Sequence, residues 1–117
     1  MALHTQLPIH KAAYDLLIVV TELAKNMPRD FKASIGGKLR DEVVAVTILI
    51  FRANTAQEKA PHLQGLTERL QVAELLLRLA RDMRLIAVKQ YARAVELTTS
   101  IGKQASGWRR SAMSPAS

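Results

Sequence analysis

Leu63, Leu66, Leu70, Ala73, Leu77 and Ala80 recur at intervals of three and four residues, the spacing that lines up apolar side chains on one face of a helix. Val72, Leu75, Leu76, Leu79 and Met83 widen that stripe beyond what a surface helix needs, leaving Gln64, Thr67, Gln71, Glu74, Arg78 and Asp82 as its polar strip. Similar patterns flank it, and together they predict helices over about residues 8–26, 28–56, 61–83 and 87–108. Pro8, Pro28 and Pro61 stand at or near the first three starts, where a missing N–H costs little because that group has no intrahelical partner. The connections are a few residues long, as between antiparallel neighbours. The expected fold is all-α: an antiparallel up-and-down four-helix bundle over residues 8–110, with flexible termini at 1–7 and 111–117. Apart from the ambiguous run Leu16–Val20, no segment reads as a strand, and there is no internal repeat.

The apolar surface is too large for one such bundle. The second helix has one face of Leu39, Val43, Val46, Ile50 and Ala53, and a second, roughly opposite, of Val44, Ile48 and Phe51. The first keeps only a narrow polar strip of Lys11, Asp15 and Glu22. A four-helix monomer buries about one face of each helix, so the excess predicts an oligomer with Val44, Ile48 and Phe51 between subunits. Arg69 falls inside the apolar arc of the third helix. A buried arginine without a partner is costly, which places it at a subunit boundary, a central opening or a ligand. The alternative is a stem lying on apolar surface with its head in water.

Charge changes the picture further. The chain carries 17 Lys and Arg against 10 Asp and Glu, a net +7, and residues 88–117 alone hold +4. Such an excess points either to an acidic partner, above all nucleic acid, or to a merely solubilised surface. The last helix has one ordinary apolar stripe, and its other face is basic. Arg78, Lys89, Arg93, Lys103, Arg109 and Arg110 form the candidate phosphate-contacting set, although Arg78, with Arg81 and Arg84, also suits the negative end of the third helix. No aromatic residues interleave with these cations, so binding would be directed at the nucleic-acid backbone and be salt-sensitive.

Candidate chemistry is sparse. With no cysteine there is no disulfide or thiolate metal site. His4, His10 and His62 lack a second ligand-type residue at helical spacing, and Asp41 and Glu42, adjacent in sequence, point to different sides of a helix. No catalytic residue, metal or cofactor is expected, and the chain does not read as an enzyme. The segment "SIGGKL" (Ser34 to Leu39) superficially suggests a nucleotide phosphate loop. It lacks the full glycine spacing, Leu39 stands where a magnesium-binding hydroxyl is needed, and no strand precedes it. The stretch Asn26 to Glu42 reads instead as a corner where Pro28 starts the second helix, with Gly36 and Gly37 either permitting close helix approach or leaving a kink. No apolar run approaches the length of a membrane span and no secretory signal opens the sequence, so a cytoplasmic location is expected.

Two phrases carry a family resemblance. "YDLLIVVTELAKNMPRDFKASIGGKLRDEVV" and "LLLRLARDMRLIAVKQYARAVELTTSIGKQASGW" resemble the two helical hairpins of the accessory variability determinant proteins of diversity-generating retroelements, over about residues 8–110. The resemblance implies a homopentameric barrel of four-helix bundles. It also implies two partners, the element's reverse transcriptase and its template RNA, in mutagenic retrohoming. Ala87 departs from the pattern, where the family often has a serine that caps the last helix. The bundle proteins encoded in ribosomal-RNA intervening sequences are similar to a lesser degree. They offer the alternative of a structural or protein-interaction bundle, but their Asn-Ile-Ala-Glu-Gly stretch is absent here.

Overall fold

The computed structural model describes Leu3 and residues 6–113. Four helices follow one another: α1 (Pro8–Lys25), α2 (residues 29–55), α3 (Ala60–Asp82) and α4 (Val88–Met113). No strand occurs among the described residues. α1 packs on α2 and α4, and α3 on the same two, so the helices close into a square bundle of 52 × 20 × 20 Å. Among the described residues, no helix is long and apolar enough to cross a membrane.

The predicted stripes are the core. Leu16, Val20 and Leu23 of α1 meet Leu39, Val43, Val46 and Ile50 of α2, five of the six stripe residues of α3 (Leu63, Leu66, Leu70, Ala73 and Leu77), and Ala94, Leu97, Ile101 and Ala105 of α4. The bundle is longer than the 8–110 span expected from the pattern. Leu7 precedes α1 and packs against the core rather than belonging to a loose terminus. α4 continues past Trp108 to Met113. The expectation of flexibility at residues 1, 2, 4, 5 and 114–117, and any role for His4, fall outside the described residues.

The corner at Asn26–Glu42 holds a feature that the pattern does not reveal. α2 begins with one α-helical turn, Arg29–Phe31, widens into a π-helical segment, Lys32–Gly37, and resumes as an α-helix over Lys38–Thr55. The two glycines there have different surroundings. A Cβ on Gly36 would stand 2.9 Å from the Cβ of Ala24 and 3.2 Å from the Met27 sulfur, so Gly36 lets α1 and α2 approach closely. A Cβ on Gly37 would meet only the Lys32 carbonyl oxygen, at 3.9 Å.

The helix ends are closed by side chains and by one strained residue. Lys59 Nζ donates to the carbonyls of Ala53, Asn54 and Ala56 at 2.8–3.2 Å, satisfying the exposed end of α2. α3 ends in a Schellman motif: Arg84 N–H donates to Arg81 O and Leu85 N–H to Ala80 O. Arg84 occupies the left-handed position at φ 60°, which glycine fills more readily. At the start of α4, Gln90 Oε1 accepts from the Ala87 N–H at 3.1 Å, one half of a capping box whose other half needs a hydroxyl at Ala87.

Candidate nucleic-acid interface

The cations of α4 sit on the side of the helix turned away from the core, because the apolar stripe fixes its rotation. Lys89, Arg93, Lys103 and Arg110 are all exposed. At 1.5 Å per residue, Lys89 and Arg110 stand roughly 30 Å apart along the axis, a distance that spans several backbone phosphates. Lys103 and Arg110 are brought together, with Glu74 and Ser106, along an open groove of about 570 Å³ between α3 and α4. Arg78 is exposed on α3, four residues beyond Glu74. Lys89, Arg93, Lys103 and Arg110 thus line the outer side of α4 as a stripe, with Arg78 exposed on the neighbouring α3, whereas Arg109 is half-buried, and the six do not converge on a single pocket.

Their electrostatic situations differ. Arg93 Nη1 donates to Glu96 Oε1 at 2.8 Å, which neutralises part of the stripe's centre. Arg109 is half-buried, and its Nε, itself shielded from solvent, has no hydrogen-bond partner among the described residues. Beside the stripe, the Arg81 guanidinium lies 4.7 Å from the Tyr91 ring centroid and donates to Asp82 at 2.8 Å, tying α3 to α4. The Asp82 hydrogen bond raises the Arg81 pKa above its ordinary value, so this clamp stays charged.

A second surface is apolar. Val44, Ile48 and Phe51 of α2 are exposed, as expected, and Phe51 keeps 45% of its surface in water. Tyr14 and Ile18 of the neighbouring α1 are exposed as well, and extend the same face. On α3, Leu75, Leu79 and Met83 project at intervals of four.

Arg69 keeps its head in water, the second of the two readings drawn from its place in the apolar arc, and also meets a carboxylate of its own chain. Its side chain is 54% exposed, and Nη1 donates to both oxygens of Glu42, at 3.2 and 3.3 Å. It therefore has a partner within its own chain. Glu42 was legible only as half of an adjacent acidic pair. It is in fact 4% exposed, wedged between α2 and α3, with Lys38 Nζ at 3.7 Å on its other side. The helical register of α2 against Arg69 was the available signal.

Compared with known proteins, the chain matches one family model, described as bAvd-like, over residues 7–112. No curated protein matches it.

Proposed function

Because the chain belongs to the bAvd-like family, we propose that it is a non-enzymatic accessory protein of a diversity-generating retroelement. It works as a homo-oligomer, a pentameric barrel, that binds template RNA and the reverse transcriptase in support of mutagenic retrohoming. The observation that carries this reading is the family match, which spans the whole bundle from Leu7 into α4. Two physical features support it. The exposed apolar residues of α1 and α2 suit burial against a second copy, and repetition of a +7 chain around a ring multiplies the basic stripe into a strongly positive assembly.

In this mechanism the protein contributes binding rather than bond-making. Lys89, Lys103 and Arg110 meet phosphates along α4, and Arg78 extends the stripe onto α3. Such contacts release counterions, so affinity falls steeply as salt rises. The polymerase would then find its template held on a scaffold of fixed geometry.

The test is solution mass by light scattering, with and without a structured RNA, at two salt concentrations. The reading expects about five times the 13.0 kDa chain and RNA binding that weakens with salt, together with co-purification of the reverse transcriptase. A stable monomer, or an oligomer indifferent to both RNA and polymerase, would leave a purely structural bundle.

A further inference from the structure

The corner at Asn26–Glu42 forms a second basic site on a different side of the molecule from the α4 stripe. Lys25 at the end of α1 and Arg29, Lys32 and Arg40 of α2 surround an open cleft of about 560 Å³, with Thr21 and Gly37 also in its wall. No carboxylate lines it. Asp41 approaches Arg40 at 4.0 Å, and both side chains are more than half exposed. Among the described residues, no ion pair engages Lys25, Arg29 or Lys32.

Folding does not account for this gathering. Lys25 complements the negative end of α1, but Arg29 and Lys32 lie at the positive end of α2, where a cation is unfavourable. Gly37 is similarly unexplained by packing. Glycine weakens a helix interior, and here a Cβ would meet almost nothing. Since Gly37 lines the cleft, that space is the cleft itself, and its bare backbone leaves the wall open to close approach. The π-helical widening occurs in the same six residues, Lys32–Gly37. Such widened turns are frequent at functional sites.

We propose that this cleft binds phosphate groups of an RNA strand, as a contact separate from the α4 stripe. The proposal rests on the RNA-binding reading above and adds a second site to it. The ligand chemistry follows from the wall: four cations in an open, acid-free cleft without aromatic side chains suit a flexible polyanion gripped by its backbone rather than its bases. The cleft begins where the exposed apolar face ends, since Thr21 also lines the hollow around Tyr14 and Ile18. An assembly sealed along that face would carry one cleft per subunit at the rim of each interface, so an RNA strand could pass from one copy to the next.

The experiment compares the full chain with Arg29→Gln/Lys32→Gln/Arg40→Gln, with Gly37→Leu, and with Lys103→Gln/Arg110→Gln, each checked for helicity and solution mass. The probe is a labelled 20-nucleotide single-stranded RNA, titrated between 50 and 200 mM salt. Removing three phosphate contacts should lower affinity at least tenfold and flatten the slope of log affinity against log salt by about 2. Gly37→Leu, which keeps every charge but fills the cleft, should weaken binding several-fold, and so should the α4 variant on its own. If the unaltered chain binds and both cleft variants match it, the second site is refuted while the α4 reading stands. If the unaltered chain fails to bind RNA even at 50 mM salt, both readings fall. Equal displacement of the RNA by polyglutamate of matched charge would assign the cleft to an acidic protein instead and overturn the proposal.

Discussion

Arg69 and Glu42 join α3 to α2 through one guanidinium nitrogen placed 3.2 and 3.3 Å from the two carboxylate oxygens. The pair is asymmetric, because Glu42 is 4% exposed whereas the Arg69 side chain keeps 54% of its surface in water. Coulomb attraction is therefore screened on one side, while removal of Arg69 leaves the desolvated carboxylate on the other with only the longer contact to Lys38, at 3.7 Å. Arg69→Met should lower stability by about 1–2 kcal/mol in urea melts at fixed protein concentration. Glu42→Met/Arg69→Met should recover much of that loss, since no buried charge remains. Simply additive losses would show that the two residues are uncoupled. A change in solution mass on Arg69→Met alone would restore the subunit-boundary role that its place in the apolar arc suggests.

Gly36 and Gly37 should respond in opposite directions to alanine. At Gly36 the new methyl meets Ala24 Cβ at 2.9 Å, on a backbone that both helices hold in place. Overpacking of this kind costs about 1–3 kcal/mol and outweighs the gain in helix propensity of about 1 kcal/mol. At Gly37 only the propensity gain applies, so Gly37→Ala should raise the thermal midpoint modestly. Thermal melts of the two variants decide it, and equal effects would remove the packing explanation for Gly36.

These glycines also show where the sequence stops being informative. The core of α3 was legible residue by residue, because a 3.6-residue period leaves little freedom once the helix exists. The outward position of Val44, Ile48 and Phe51 followed from the same geometry. Partners across helices did not. Glu42 meets Arg69 only through the register of α2 on α3, and Gly36 meets Ala24 only through the crossing of α1 and α2. The basic cleft was hidden for a related reason. Its cations are spread along "KNMPRDFKASIGGKLR", with Asp30 among them, and read as a mixed-charge turn until the fold turns Asp30 away from the cleft wall.

The α3–α4 connection can be strengthened at two points. Ala87 receives the Gln90 half of a capping box but offers no hydroxyl to the first N–H groups of α4. Ala87→Ser should supply it and stabilise the protein by about 1 kcal/mol. Arg84 sits at φ 60° in the Schellman turn, so Arg84→Gly should relieve about 1 kcal/mol of backbone strain. Chemical denaturation tests both, and a loss of stability in Arg84→Gly would mean that the side chain contributes more than its backbone costs.

The apolar face supplies the most direct check on assembly. Ile48 lies at the middle of the α2 row, 44% exposed and flanked by Val44 and Phe51, with Tyr14 and Ile18 on the adjoining helix. If this face is sealed by another copy, a glutamate there desolvates without a partner and opposes association by several kcal/mol. Ile48→Glu should then release monomers of about 13.0 kDa by light scattering, with helicity retained because Ile48 points away from the core of its own bundle. Leu75→Glu, placed on α3 at 65% exposure, serves as the comparison. Dissociation by Ile48→Glu alone would assign the interface to the α1–α2 face, and dissociation by Leu75→Glu alone would move it to α3. An unchanged oligomer in both would mean that neither face holds the subunits together.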